Sequence, residues 1–184
     1  MKTVYNKNYK SILLNDELGK GGEGTIYSID SNTVAKIYHS KSLTPEKEGK
    51  IKSLIAKRIK FDGICAPIES LFDDKEKFVG YLMPKADAKS GFELQTCVFN
   101  PALLKMKLPD WNRISLVNLS ITILEKIKYL HENDIIIGDI NPFNILIKDD
   151  KTVYFVDVDS YQVDNYPCPV GTVHFTAPEI QHIE

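Results

Sequence analysis

Through the first half of the chain the apolar residues come in short runs separated by polar or glycine-containing breaks. Residues 10–18 predict a strand that ends at Gly19, a glycine cluster follows, and residues 25–29 predict a second strand. Asp30-Ser31-Asn32 reads as a turn and residues 33–38 as a third strand. Thr44-Pro45 has the chemistry of a helix start, with Thr44 at the N-cap and Pro45 in the first helical position. That helix is expected to run to about Lys57, with Ile51, Leu54 and Ile55 on its apolar face. Two more strands fit residues 64–72 and 77–83, after which Pro84 breaks the pattern.

The period then changes. Residues 85–109 are irregular, with Pro101 and Pro109 as punctuation. A long helix is expected over residues 111–131. Its apolar positions form two adjacent stripes, Ile114, Val117, Ile121, Leu124 and Leu116, Leu119, Ile123, Ile127, Leu130. So wide an apolar face predicts a central, buried helix. Three short apolar runs follow, at 135–137, 145–147 and 153–156, each of strand length. The order, strand-rich then helix-led, predicts an α+β chain of two parts, 1–84 and 85–184, with a ligand cleft at the boundary.

Charge narrows the function classes. The formal net charge is −2 and the pI about 6.1, which favours neither nucleic acid nor an anionic membrane as the main partner. The cysteines, Cys65, Cys97 and Cys168, are odd in number and lack zinc-site spacing, so reduced thiols are the simplest reading. No apolar run has the length of a signal peptide or a membrane span. A cytoplasmic protein, or one delivered to a host cytosol as an effector, is the expectation. Whether residues 1–9 are ordered stays open.

The residues that carry chemistry begin with Gly19-Lys20-Gly21-Gly22-Glu23-Gly24. Gly19, Gly21 and Gly24 space as G-x-G-x-x-G, and glycine lets backbone amides approach phosphate oxygens. By itself the motif serves equally well as a tight hairpin. Its position between two strands, rather than between a strand and a helix, sets it apart from a dinucleotide-binding turn. Lys36 follows inside an apolar strand, in Val34-Ala35-Lys36-Ile37. A lone strand lysine ordinarily faces solvent. A functional one needs a carboxylate, for which Glu48 is the first candidate and Glu46 the second. The strongest signal is Gly138-Asp139-Ile140-Asn141-Pro142-Phe143-Asn144, which places an aspartate five residues ahead of an asparagine and directly before an apolar run. Asp157, thirteen residues beyond Asn144, follows another apolar run. A hairpin would turn both ends to one point, where an amide oxygen and a carboxylate are suitable hard ligands for magnesium. Each motif alone reads as a polar turn, but the pair in this order and spacing does not.

Together these motifs resemble the protein-kinase family over nearly the whole chain. Asp139 to Asn144 is similar to the catalytic loop D-x-x-x-x-N, and Asp157 to the metal-binding aspartate of D-F-G. Residues 171–179 resemble the G-T-x-x-[YF]-x-A-P-E end of an activation segment, and residues 78–84 the strand that enters the hinge. The resemblance, closest to a bacterial subfamily, implies a two-lobed fold with a β-rich N-lobe and a shortened helical C-lobe. It implies ATP with Mg2+ or Mn2+ as cofactors and a Ser/Thr (or Tyr) residue of a protein substrate as acceptor. Carried over by position, Gly19, Lys20, Gly21, Gly22, Gly24, Ala35, Lys36, Glu48, Met83, Lys85 and Ala86 would bind nucleotide. Asn144 and Asp157 would hold the metal, and Asp139, Lys36 and Asn141 would act in catalysis.

Four departures from the family keep alternatives open. Gly138 stands where the family has arginine, so this position cannot supply a guanidinium to pair with a phosphorylated Thr172 or Thr176, and activity is expected not to depend on phosphorylating them. Asn141 replaces the lysine that contacts the γ-phosphate. Asp159 replaces the D-F-G glycine, as a turn residue or as an extra ligand. The sequence given ends at Glu184, shortly after Ala177-Pro178-Glu179, and the arginine with which the family pairs Glu179 does not follow within it. A fragment, a naturally minimal kinase, and a chain whose shortened C-lobe is covered by a partner or by a second copy all fit that ending. A pseudokinase binding module and a small-molecule phosphotransferase are the competing functions.

Overall fold

The first half folds as successive short antiparallel strands because its apolar runs are four to seven residues long and end in turn chemistry. In the computed structural model, which describes residues 2–168, these are β1 (Lys2–Tyr5), β2 (Ser11–Leu14), β3 (Glu17–Lys20), β4 (Gly24–Ser28), β5 (Thr33–Tyr38), β6 (Glu69–Phe72) and β7 (Phe78–Pro84). They form one seven-stranded sheet in the order β2-β1-β6-β7-β5-β4-β3. Asn15-Asp16 interrupts the long strand expected over 10–18, dividing it into β2 and β3. Residues 2–5, which no local pattern marks, become a strand because β2 and β6 give their backbone groups partners. Val4, Leu14, Ala35, Ile37, Leu71 and Leu82 make the core of this unit. Helix α1 (Pro45–Lys57) lies beside β6 and starts as expected, with the Thr44 side chain accepting from the amide of Lys47.

Met1–Ile59 and Cys65–Lys85 form this first unit, and Lys60–Ile64 with the residues from Ala86 onward form a second. The strand expected over 64–72 is therefore divided. Only β6 joins the large sheet, while Ile64 bridges Phe155 in the second unit. Lys126, on the long helix and 4% exposed, explains the placement of residues 60–64. Its ammonium donates to the carbonyl of Asp62 and lies 4.6 Å from the Phe61 ring centroid. Gly63, at φ +80, leaves no room for a Cβ between Val153 and Lys126.

The second unit contains α2 (Leu94–Cys97), α3 (Pro101–Lys107), α4 (Arg113–Glu132), β8 (Ile135–Ile136), β9 (Ile145–Asp149), β10 (Thr152–Phe155) and β11 (Gln162–Val163). β9 and β10 make a hairpin, and β8 pairs with β11. The region expected to be irregular thus holds two short helices; Asn100 caps α3 by accepting from the amides of Ala102 and Leu103. Asn112 and Ser115 close a reciprocal cap on α4.

One expectation for α4 is corrected. Its second stripe meets β8 and β10, burying Leu119 and Leu130. The first stripe does not reach a core: Ile114, Val117, Ile121 and Leu124 are each at least half exposed. A helix buries an apolar face only where another layer covers it, and the described residues supply a layer on one side alone. No helix among the described residues is long and apolar enough to cross a membrane.

Candidate active site

In the first unit the glycine-rich turn joins β3 to β4. The amide of Gly21 donates to the carbonyl of Gly24 at 2.8 Å, closing the turn. The glycines have separate reasons to be there. A Cβ at Gly24 would come within 2.5 Å of the Ile37 carbonyl oxygen, so Gly24 is required for β4 to pack on β5. A Cβ at Gly19 or Gly22 would meet nothing within 4 Å. Those two positions leave open space beside the backbone, as a phosphate cradle needs. Lys20 is exposed.

Lys36 is the middle of β5 and is 6% exposed, so it is not a solvent-facing strand lysine. It is paired in register with Ile26 on β4 and Tyr81 on β7. Its ammonium is 5.5 Å from the Tyr38 ring centroid, and Tyr38 packs against Tyr81 at 5.9 Å between centroids. Gly80 fixes this strand from the other side, because a Cβ there would run into the carbonyl oxygen of Lys36.

Two of the expected nucleotide-site residues, Ala35 and Glu48, have these surroundings. Ala35 is fully buried in the core cluster with Ile37 and Leu82. Side chains alternate along a strand, so the residue that shares the Lys36 face is Val34, opposite Met83. Glu48 lies in the first turn of α1, after the Thr44 cap. Its carboxylate pairs at 2.7 Å with Lys52, its neighbour one helical turn on. Glu46 is exposed at the start of α1, where its own amide and the Thr44 hydroxyl hold its carboxyl below the usual range. The interior stripe of α1 is instead Lys47, Lys50, Ile51 and Leu54. Lys47 forms a 2.7 Å ion pair with Glu23 of the glycine-rich turn. The spacing of Lys47 with Lys50, Ile51 and Leu54 is the signal for it in the sequence. Met83 is buried at the end of β7, and the amide of Lys85 donates to the carbonyl of Asn32 at 2.8 Å. Ala86 is half-buried and opens the second unit.

In the second unit the residues between β8 and β9 form a tight loop. Asp139 is 9% exposed, and its carbonyl accepts from the amide of Asn141. The Asn141 side-chain oxygen caps a 3-10 turn, Pro142–Asn144, by accepting from the amide of Phe143 at 3.0 Å. Its acceptor is thus used locally, and the NH2 end is the part suited to an anion. In the hairpin, Ile145 pairs with Phe155, and the amide of Val156 donates to the carbonyl of Asn144 at 2.9 Å. That bond extends the ladder one step and brings Asn144 and Asp157 to the same hairpin end. Asp157 has φ 59, in the left-handed region, and begins a 3-10 turn, Val158–Ser160. Asp159 lies within that turn and is 1% exposed. The amide and hydroxyl of Ser160 both donate to the Asp157 carbonyl, at 3.0 and 2.8 Å.

Gly138, directly before Asp139, has its own constraint. A Cβ there would lie 2.8 Å from the Cys168 sulfur and closer still to the Cys168 Cβ. Cys168 therefore occupies the space into which a larger residue would project. The segment 171–179 and its threonines lie outside the described residues.

Among the described residues no group of three or more His, Cys, Asp or Glu side chains is gathered for a metal. An amide oxygen and a carboxylate at one hairpin end suit Mg2+, which usually takes only one or two protein carboxylates and completes its shell with water and phosphate oxygens. The two residues therefore fit a magnesium ion.

A glycine-rich strand–turn–strand, a buried lysine on the next strand, and a loop aspartate followed by an Asn/Asp hairpin end define the class: an α+β kinase fold with a β-rich and a helix-led part. The family model described as protein kinase domain matches residues 13–182, and this chain belongs to that family. Two Escherichia coli proteins named protein kinase YegI are similar to it. The one from strain K12 is 30% identical over 196 residues, covering 98% of this chain and 29% of the relative. The one from O157:H7 is 29% identical over 191 residues, covering 97% and 28%. A protein of Acanthamoeba polyphaga mimivirus named "Putative serine/threonine-protein kinase R436" is 41% identical over 71 residues, 35% of this chain and 25% of the relative. The chain spans less than a third of the length of each of these relatives.

Proposed function

We propose that this chain is an ATP-dependent protein kinase that transfers the γ-phosphate to a Ser or Thr hydroxyl of a protein. One observation carries the proposal most: the Val156–Asn144 bond, which brings an amide and a carboxylate to one hairpin end, on the same unit as the buried Asp139. The kinase names of the E. coli relatives support phosphoryl transfer to protein, and the name of the viral relative supports Ser/Thr as acceptor.

On this reading the first unit is the nucleotide lobe and the second the catalytic lobe. Bound MgATP supplies the phosphoryl group and a divalent charge. Gly19 and Gly22 offer open backbone to phosphate oxygens, and Lys36 offers a fixed cation. Asn144 and Asp157 would hold the metal, an amide oxygen and a carboxylate being suitable donors for Mg2+. Asp139 accepts or orients the acceptor hydroxyl proton, and Asn141 donates a neutral hydrogen bond. Catalysis rests on position and charge, with no covalent enzyme intermediate.

The test is incubation with labelled ATP, Mg2+ and a mixed protein extract. Label on protein, lowered about 10²- to 10⁴-fold in Asp139→Ala while nucleotide binding persists, is the expected result. Nucleotide binding without transfer would make the chain a binding module. Label only on small molecules would make it a metabolite kinase.

A further inference from the structure

The ion pair between Glu23 and Lys47 joins two elements that sequence order separates, the glycine-rich turn and the first turn of α1. The carboxylate–ammonium distance is 2.7 Å. The Lys47 side chain is only 14% exposed, whereas that of Glu23 is 49% exposed. The Lys47 ammonium also lies 5.0 Å from the Tyr38 ring centroid, the ring that Lys36 approaches at 5.5 Å. Tyr38 is 4% exposed and held by Phe78 and Tyr81, so it is a fixed shelf for both cations. The backbone of Lys47 is fixed as well, since its amide donates to the Thr44 cap.

Further contacts act on the same turn. The His39 amide donates to the Glu23 carbonyl at 2.8 Å, and the His39 ring lies 3.2 Å from the Gly22 carbonyl oxygen. Gly24 is locked against Ile37 by close packing. The descending arm of the turn is thus tied to β5 and α1, while Gly19 and Gly22 remain beside open space.

We infer that Lys47 is a positioning residue that acts through Glu23 to set the glycine-rich turn for phosphate binding, the nucleotide part of this inference resting on the function proposed above. Glu23 neutralises Lys47, so that two ammonium groups share the Tyr38 ring without doubling the positive charge there. A partly buried pair with a ring beneath it predicts a modest effect: Glu23→Gln and Lys47→Met each weaken nucleotide binding about three- to tenfold.

The experiment measures binding of a fluorescent ATP analogue, with Mg2+, to the wild type, the two single variants, Lys47→Arg and the double variant. In parallel, hydrogen exchange of residues 19–25 is followed without nucleotide. Faster exchange in both single variants, a double variant no weaker than either single, and wild-type-like Lys47→Arg are expected. Unchanged exchange, or losses that add in the double variant, would overturn the inference. If wild type fails to bind the analogue, the proposed function fails, while the exchange data still decide whether the ion pair holds the turn.

Discussion

Glycine has at least three uses in this chain, and they predict different mutational outcomes. At Gly80 the carbonyl of Lys36 occupies the space of a Cβ, so Gly80→Ala must push β7 away from β5. A loss of about 1–3 kcal/mol in denaturant unfolding is expected, as for other forced overpacking. A methyl group added at Gly22 would meet nothing within 4 Å, so Gly22→Ala should leave stability unchanged and affect nucleotide binding instead. Gly138 is a matched contact with Cys168. Gly138→Ala should lower phosphoryl transfer by shifting Asp139, and adding Cys168→Gly should restore part of it. Steady-state kinetics on the single and double variants would check this. Residue-level roles are only partly legible in the sequence. Lys36 stands out there, whereas the pairing of Glu48, one helical position from the inward stripe, with Lys52 is read from the structure. The Val34/Ala35 distinction is legible by alternation alone, since the residue two before Lys36 shares its face and the residue one before does not.

Elements whose ends are chemically marked match their expected bounds. Helix α1 runs from Pro45 to Lys57 because Thr44 and Pro45 fix its start locally. The Asn100-Pro101 start of α3 has the same kind of signal, obscured by the prolines around it. The turn between β6 and β7 shows how polar chemistry sets an element end. The Asp73 carboxylate accepts from the amides of Lys77 and Lys75, each at 2.9 Å, and these bonds hold its carboxyl below the ordinary range. Its contribution to stability is present at neutral pH and is lost as pH falls through that depressed value. The stability difference between wild type and Asp73→Ala, followed by denaturation across acid pH, should therefore shrink towards low pH. Lys126 makes a stronger prediction. Lys126→Met removes a charged donor from the Asp62 carbonyl, and a loss of about 1.5–3 kcal/mol is expected in thermal or denaturant unfolding.

For the whole molecule, a ligand that binds only the folded state raises its stability. Saturating MgATP, at about a hundred times its Kd, should add about 2.7 kcal/mol, and chelation of the metal should remove most of it. Differential scanning calorimetry would show this as a rise in Tm that Asp157→Asn reduces. The sequence by itself determined the class: the order of motifs, the strand-to-strand glycine turn, the α1 cap and the Asp139–Asn144–Asp157 spacing are all local or depend only on distance along the chain. Tertiary structure decided what depends on partners far away in sequence. It drew residues 60–64 to Lys126, made residues 2–5 a strand, gave Lys47 to Glu23 and, among the described residues, covered one stripe of α4 but not the other. The physical reason is that burial and pairing are properties of neighbours in space, which a residue's own chemistry permits but does not choose.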